Sequence, residues 1–274
     1  VSPDEHDVEI SRVLDAIAER YGYDFRRYTR ASITRRILSA QARMGARHLP
    51  ELTQTILNAP SAFPTVLSAL MVQVTEMFRD PSFFLAFRNE VVPKLRTYPE
   101  LKLWHAGCAS GEEAYSMAIL MIEEGLFDRC LIYGTDLDGA AIERAKLGVY
   151  SERRAESFSK NHALAGGRGS LSSYCTRGYE HLGLAESVRK NVVFFQHDLS
   201  TDFSLGEMQV IFCRNVALYF NASLRNQVFD IFADSLVAGG FLCLGTSEAL
   251  PPGAESAFEV FSHEHRIFRR KGPR

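Results

Sequence analysis

Through the first quarter of the chain, apolar residues recur every three or four positions. In DVEISRVLDAIAERYG, Val8, Val13, Leu14, Ile17 and Tyr21 share one helical face, and Gly22 supplies a stop. SITRRILSAQARMGA repeats the pattern through Ile33, Ile37, Leu38 and Met44, ending at Gly45. Two further helical stretches, ELTQTILN and FPTVLSALMVQV, follow around Pro60 and Pro64. From about Leu101 short apolar runs alternate with amphipathic ones. LKLWHAG, CLIYGTD, NVVFFQHDL, MQVIFCRNV and GFLCLGTSE read as buried strands. EEAYSMAILMIEEGL, DGAAIERAKLGVY and LRNQVFDIFADSLVAGG read as helices, the last with its stop at the glycine pair. This alternation predicts a parallel sheet covered on both faces. FEVFSHEHRIFRR, alternating apolar and polar, predicts one antiparallel edge strand. The pattern thus divides the chain into a helical subdomain (1–75), a linker (76–100) and an α/β domain (101–274). Within the last, residues 151–190 are polar and weakly periodic; a stretch so long is expected to be an insertion with a function of its own.

Composition narrows the classes. The chain has 274 residues, 31 basic and 33 acidic, so its overall charge favours neither nucleic acid nor a membrane surface. No apolar run approaches the ~18–20 residues of a membrane span, and the start, VSPDEHDVEI, is too acidic for a signal peptide. The five cysteines, Cys108, Cys130, Cys175, Cys213 and Cys243, lack metal-ligand spacing. Reduced, mostly buried thiols, no metal and a cytoplasmic location are expected. His105 and His197 flank strand ends without ligand-spaced partners and read as structural.

Candidate chemistry begins at LWHAGCASGEEAYSMAIL (Leu103–Leu120), a strand, a glycine turn and a helix. Such a turn ordinarily cradles phosphate at the helix N-terminus, yet this one ends in Glu112 and Glu113. One reading is a capping box, Ser110 with Glu113. The other is a cationic ligand. S-adenosylmethionine (SAM) carries a sulfonium and an ammonium and no phosphate, so a carboxylate there attracts it. Asp136, ending the next strand, is placed to accept both ribose hydroxyls, or else to cap the following helix. From this turn alone both readings stand; two carboxylates at consecutive strand ends favour SAM over a dinucleotide.

TEMFRDPSFF (Thr75–Phe84), GCASGEEAYS (Gly107–Ser116), GTDLD (Gly134–Asp138) and IFCRNVALYF (Ile211–Phe220), in this order and spacing, resemble the CheR family. Those enzymes use SAM to methylate glutamate side chains of bacterial chemoreceptors, and the resemblance covers nearly the whole chain. It implies a Rossmann-like SAM-dependent methyltransferase sheet with an N-terminal helical subdomain and a small inserted subdomain, with S-adenosylhomocysteine as product. It also implies a cofactor pocket of Gln73, Thr75, Arg79, Glu113, Asp136, Asp198, Leu199, Arg214 and Asn215, with Tyr219 near the transferred methyl. Asp198 stands where the family usually has Asn, and Ala114 where it has Pro. Arg79 suits a carboxylate acceptor, which an arginine holds through two parallel N–H bonds.

Between Phe25 and Pro50 lie Arg26, Arg27, Arg30, Arg35, Arg36, Arg43 and Arg47 with no acid, a candidate face for an acidic partner. The acidic methylation region of chemoreceptors fits it, and so does RNA. A nucleic-acid methyltransferase is therefore one alternative, although the strand-end motif FCRN lacks the Pro-Pro-aromatic run that stacks a flipped base. A SAM-binding regulatory module without turnover is another. A monomer that inserts in no membrane and binds no nucleic acid is the expectation.

Overall fold

The protein was analysed as a computed structural model that describes residues 3–71 and 74–272. The chain forms two compact units, residues 1–72 with 219–227 and residues 73–218 with 228–274.

Helical periodicity builds the first unit. α1 (Pro3–Tyr21) packs on α3 (Leu49–Asn58), and α2 (Arg30–Met44) on α4 (Phe63–Leu70). Ile10, Val13, Leu14 and Ile17 of α1 and Ile33 and Ile37 of α2 are buried, each contributing about 1.5–3 kcal/mol. α2 ends where Gly45 takes φ 68°, a left-handed cap. Residues 219–227 return to this unit: Thr29 N–H donates to the Tyr219 carbonyl and Asn221 N–H to the Arg27 carbonyl, both at 2.8 Å.

The strands of the second unit, numbered along the chain, are β1 (Leu101–Ala106), β2 (Cys130–Asp136), β3 (Val149–Ser151), β4 (Cys175–Arg177), β5 (His181–Leu184), β6 (Val192–Gln196), β7 (Met208–Cys213), β8 (Leu236–Leu244), β9 (Phe258–Ser262) and β10 (Ile267–Arg270). Seven of them form a sheet in the order β6-β2-β1-β7-β8-β10-β9. β6, β2, β1, β7 and β8 run parallel, and β10 and β9 are added antiparallel. α5 (Pro81–Ala86) continues through a π-helical turn (Phe87–Val91) into α6 (Val92–Leu95). α7 (Glu112–Glu123) follows β1, α8 (Gly139–Leu147) follows β2, and α11 (Ala222–Ser235) lies between β7 and β8 in sequence. Chain order reverses at β1 and β7, so the carboxyl ends of β1, β2, β6 and β7 border the crevice in which such sheets bind ligands. β1 is buried on both faces, as a covered parallel strand requires.

The mixed α/β sheet agrees with the pattern of the sequence; several details differ. The expected linker is largely helical, because Phe83, Phe84, Phe87, Val91 and Leu95 share a buried face. The C-terminal segment is a hairpin of two strands, since the polar run at 263–266 makes a turn in which Arg266 takes φ 52°. α11 ends at Ser235 rather than at the glycine pair, which lies inside β8 beside a register shift against β7. The inserted segment holds β4, β5, α9 (Ala155–Leu164) and α10 (Glu186–Arg189), with the antiparallel order β3-β5-β4. Among the described residues no helix is long and apolar enough to cross a membrane.

Candidate active site

The glycine turn leaves β1 through Gly107, whose φ is 78° and whose added Cβ would lie 2.4 Å from Val216 Cγ2; only glycine fits. Ala109, at φ 49°, donates its N–H to Asp136 Oδ2 at 2.8 Å, and Asp138 N–H reaches Asp136 Oδ1 at 2.9 Å. Burial pushes the Asp136 carboxyl above its ordinary pKa, against these N–H bonds. The capping box, one of the two readings of this turn, does not form. Gly111 is the N-cap without a side-chain bond, and Ser110 Oγ donates to Glu112 Oε2 at 2.7 Å.

The two glutamates then diverge. Glu112 is fully buried and pairs with Arg154 Nη1 at 2.7 Å. The Glu113 side chain keeps 20% of its surface and turns toward the end of β7. Its Oε2 accepts from Arg214 Nη1 at 2.8 Å, and its Oε1 lies 2.9 Å from His105 Nδ1. Burial would raise the Glu113 pKa, but the Arg214 charge and the His105 bond hold it below the usual carboxylate value. Arg214, itself buried, also binds Asp80 at 2.7 Å and lies over the Phe83 ring at 4.0 Å.

Arg79 sits in a strained turn, between Phe78 (φ 53°) and Asp80 (φ 58°). The turn is pinned on every side. Phe78 N–H donates to Ser116 Oγ at 2.8 Å, Asn161 Nδ2 to the Met77 carbonyl at 3.1 Å, and Arg154 Nη2 to the Thr75 carbonyl. Arg79 Nη1 donates to the Val74 carbonyl at 3.0 Å. The loop after β7 is held by buried Glu248, whose carboxylate accepts from the N–H groups of Asn215 (2.7 Å), Val216 (3.0 Å), Leu218 (3.1 Å) and Gly245 (2.7 Å). Asn215 takes φ 63° there.

Asp80, Arg214 and Glu113 together carry one net negative charge, beside a glycine turn that admits close backbone approach. That combination repels a pyrophosphate and suits SAM. Residues 73–267 match the family model described as CheR methyltransferase, SAM binding domain. The chain belongs to the CheR methyltransferase family. It is 45% identical over 265 residues to Cher3, an inferred methyltransferase of Pseudomonas putida, covering 96% of this chain and 97% of that one. It is 31% identical over 231 residues to the chemotaxis protein methyltransferase of Listeria innocua, covering 84% and 85% respectively. Among solved structures, the N-methyltransferase NodS of Bradyrhizobium japonicum is 13% identical, with a TM-score of 0.41 over 72% of this chain and 89% of that one. As a CheR-family member the chain is a SAM-dependent methyltransferase.

Of the residues expected to form the CheR-type pocket, Glu113 and Arg214 pair directly, the Arg79 carbonyl accepts from Arg214 Nη1 at 3.4 Å, and the Thr75 carbonyl is held by Arg154 instead. Asp136 is tied to the glycine turn, and Asn215 is held by Glu248. Asp198 Oδ1 instead accepts from its own turn, Ser200 N (2.8 Å) and Ser200 Oγ (2.6 Å), and Leu199 is buried next to it. Tyr219 belongs to the first unit, where the Arg36 guanidinium lies over its ring at 4.1 Å. Gln73 lies outside the described residues.

The basic segment is less uniformly exposed than its sequence suggests. Arg26 pairs with Asp24 and Asp15, Arg30 with Asp7, and Arg47 with Glu51. Arg36 is buried and donates to the Leu70 carbonyl at 2.7 Å. Arg27, Arg35 and Arg43 have no ion pair among the described residues.

Sequence reasoning read His105 as structural and did not single out Glu248. The signal for each was a polar residue inside or just past an apolar strand, with no charged neighbour in sequence.

Proposed function

We propose that this methyltransferase esterifies glutamate side chains in the methylation region of bacterial chemoreceptors. The observation that carries the reading is the pinned, strained turn at Arg79 beside the Arg214–Glu113 pair. Strain of this kind persists only where the surroundings over-determine it, and it clusters at active sites. An arginine so fixed is suited to orient a carboxylate acceptor. SAM held there would supply an electrophilic methyl group to a carboxylate oxygen, the S–CH3 electron pair staying with the departing thioether. The chain's own residues then have modest duties. A glutamate acceptor, with a reference pKa of about 4.3, is ionised at neutral pH and needs no general base. Glu113 holds the ammonium end, Asp136 accepts from the ribose, and Arg79 aligns the acceptor and limits its motion. The relatives named for chemotaxis support the pathway, and the ion-pair-free Arg27, Arg35 and Arg43 suit an acidic helical partner.

The test incubates the protein with methyl-labelled SAM and receptor cytoplasmic fragments. The reading expects label on receptor that mild alkali releases and that disappears when the acceptor glutamates become alanine. Alkali-stable label, or label on RNA alone, rejects it.

A further inference from the structure

Glu113 faces two donors, and only Arg214 belongs to the expected pocket. The other is His105 on β1, whose side chain is 1% exposed and whose ring stacks on Phe212 at 4.3 Å, nearly parallel at 4°. Its Nδ1 lies 2.9 Å from Glu113 Oε1, and its buried Nε2 has no partner among the described residues. A carboxylate oxygen can only accept, so the proton is assigned to Nδ1. The bare Nε2 lone pair left behind costs less than a buried N–H without an acceptor would.

We infer that His105 is the positioning residue that turns Glu113 toward the ammonium end of SAM. The inference rests on the reading of Glu113 as the ammonium-binding carboxylate. Arg214 alone does not fix that carboxylate. Its Nη2 is committed to Asp80 and its Nη1 reaches one oxygen of Glu113. Without a donor on Oε1, Glu113 is held by Arg214 through one oxygen only and is free to swing about that bond. The swing would withdraw its free lone pairs from the ligand. His105 prevents it by occupying Oε1 from the opposite side. The proton on Nδ1 also leaves the Asp80–Arg214–Glu113 group with its net negative charge, which a cationic ligand requires. Phe212 sets the plane of the imidazole by stacking, so the donor direction is built into the sheet.

The test compares two ligands that share the adenosine but differ at the amino end. S-adenosylhomocysteine carries the ammonium; 5′-methylthioadenosine does not. Calorimetric Kd values are measured for the whole protein and for His105→Phe, His105→Asn and Glu113→Gln. Phe keeps a stacking ring and loses the donor; Asn keeps an N–H near the Nδ1 position. His105→Phe is expected to weaken S-adenosylhomocysteine about tenfold, the scale of one hydrogen bond to a charged group, with methylthioadenosine unchanged. His105→Asn should recover most of the loss. Equal weakening of both ligands by His105→Phe, or no weakening, overturns the role of His105. So does His105→Asn behaving like His105→Phe. Glu113→Gln serves as the separate check: if it too leaves the ratio of the two ligands unchanged, the reading of Glu113 fails, and the inference falls with it.

Discussion

At the scale of single residues, the site depends on carboxylates used in three different ways. Glu113 is held by cations and donors, Asp136 by backbone N–H groups, and Glu248 by backbone N–H groups of two loops. Asp136 gives a pH prediction. Because burial raises its pKa, its protonated form appears at a higher pH than the ordinary value of 3.8. If Asp136 holds the ribose as proposed, protonation removes acceptor capacity needed for its hydroxyls. SAM affinity should therefore fall on the acid side with a midpoint above pH 3.8, and calorimetry from pH 8 downward should show it; an affinity that stays flat down to pH 3.8 would contradict it. Glu248→Ala would leave the Asn215, Val216, Leu218 and Gly245 N–H groups without their acceptor. Each orphaned buried group costs ~1–3 kcal/mol, so urea denaturation should show a loss of about 3 kcal/mol or more, with weaker S-adenosylhomocysteine binding. Glu113 and Asp136 could be singled out in sequence because each stands at a strand end of one α/β unit, although a helix cap was the other reading of each. The partners of Glu248 and His105 could not be read there, because Val216 and Leu218 lie 30 or more residues away and Glu113 lies 8 away, across a turn whose path only the fold decides.

At the scale of elements, what periodicity predicts is the existence and type of long segments. α1, α2 and the strands β1, β2, β6, β7 and β8 follow from apolar spacing, since burial on one face or both is a local property of the pattern. What periodicity misses is set by backbone conformation at single points. The capping box fails because Gly111 adopts φ 88° and directs Ser110 to Glu112. The C-terminal strand becomes a hairpin because a turn preserves its alternation. The inserted segment is the informative case. Its polar sequence gives no core signal, yet Arg154 and Asn161 reach out from it to the carbonyls of Thr75 and Met77, and Arg154 also neutralises Glu112. The insertion therefore braces the turn that carries Arg79. Arg154→Ala would strand a fully buried carboxylate, and breaking a buried pair costs about 3–5 kcal/mol. Part of that should return in the double variant Arg154→Ala, Glu112→Gln, where no charge is left unpaired. Denaturant melts of the four proteins of this cycle measure it, and a double variant no better than Arg154→Ala would show that Glu112 is not the reason.

At the scale of the whole molecule, a buried ionic group joins separate elements of the second unit and is expected to bear on stability against acid. Arg88 of the π-helical turn pairs with Glu123 at 2.6 Å and with Glu124 at 2.7 Å, both at the end of α7. His162 of α9 lies 2.8 Å from Glu123, and Arg96 and Arg168 reach Glu124 at 2.8 and 2.9 Å. Burial would raise the Glu123 pKa, but the bonds from His162, Arg88 and the Arg168 N–H hold it below its ordinary value of 4.5. A carboxyl depressed in the folded state favours folding above its unfolded pKa and loses that contribution as pH falls through the folded one. Glu113, also depressed, acts in the same sense. Asp136 acts in the opposite one, since a raised carboxyl contributes most when protonated and least once pH has risen through its folded pKa. Asp24 and Glu51 of the first unit are depressed as well, so four carboxylates act against one and the acid limb should be a net loss. The urea midpoint is expected to hold between about pH 6 and 8 and to fall steeply once pH drops below about 4.5. Glu123→Gln separates this group from general acid unfolding. It removes the carboxylate that faces Arg88 Nη2 and His162 while Arg88 keeps Glu124, so at pH 7 it should cost about 1–3 kcal/mol. In acid, where Glu123 is itself protonated, the variant has little further to lose, and its midpoint should converge on that of the unmodified protein. Parallel curves at every pH would mean that the acid limb arises elsewhere, and that the cluster contributes packing rather than charge.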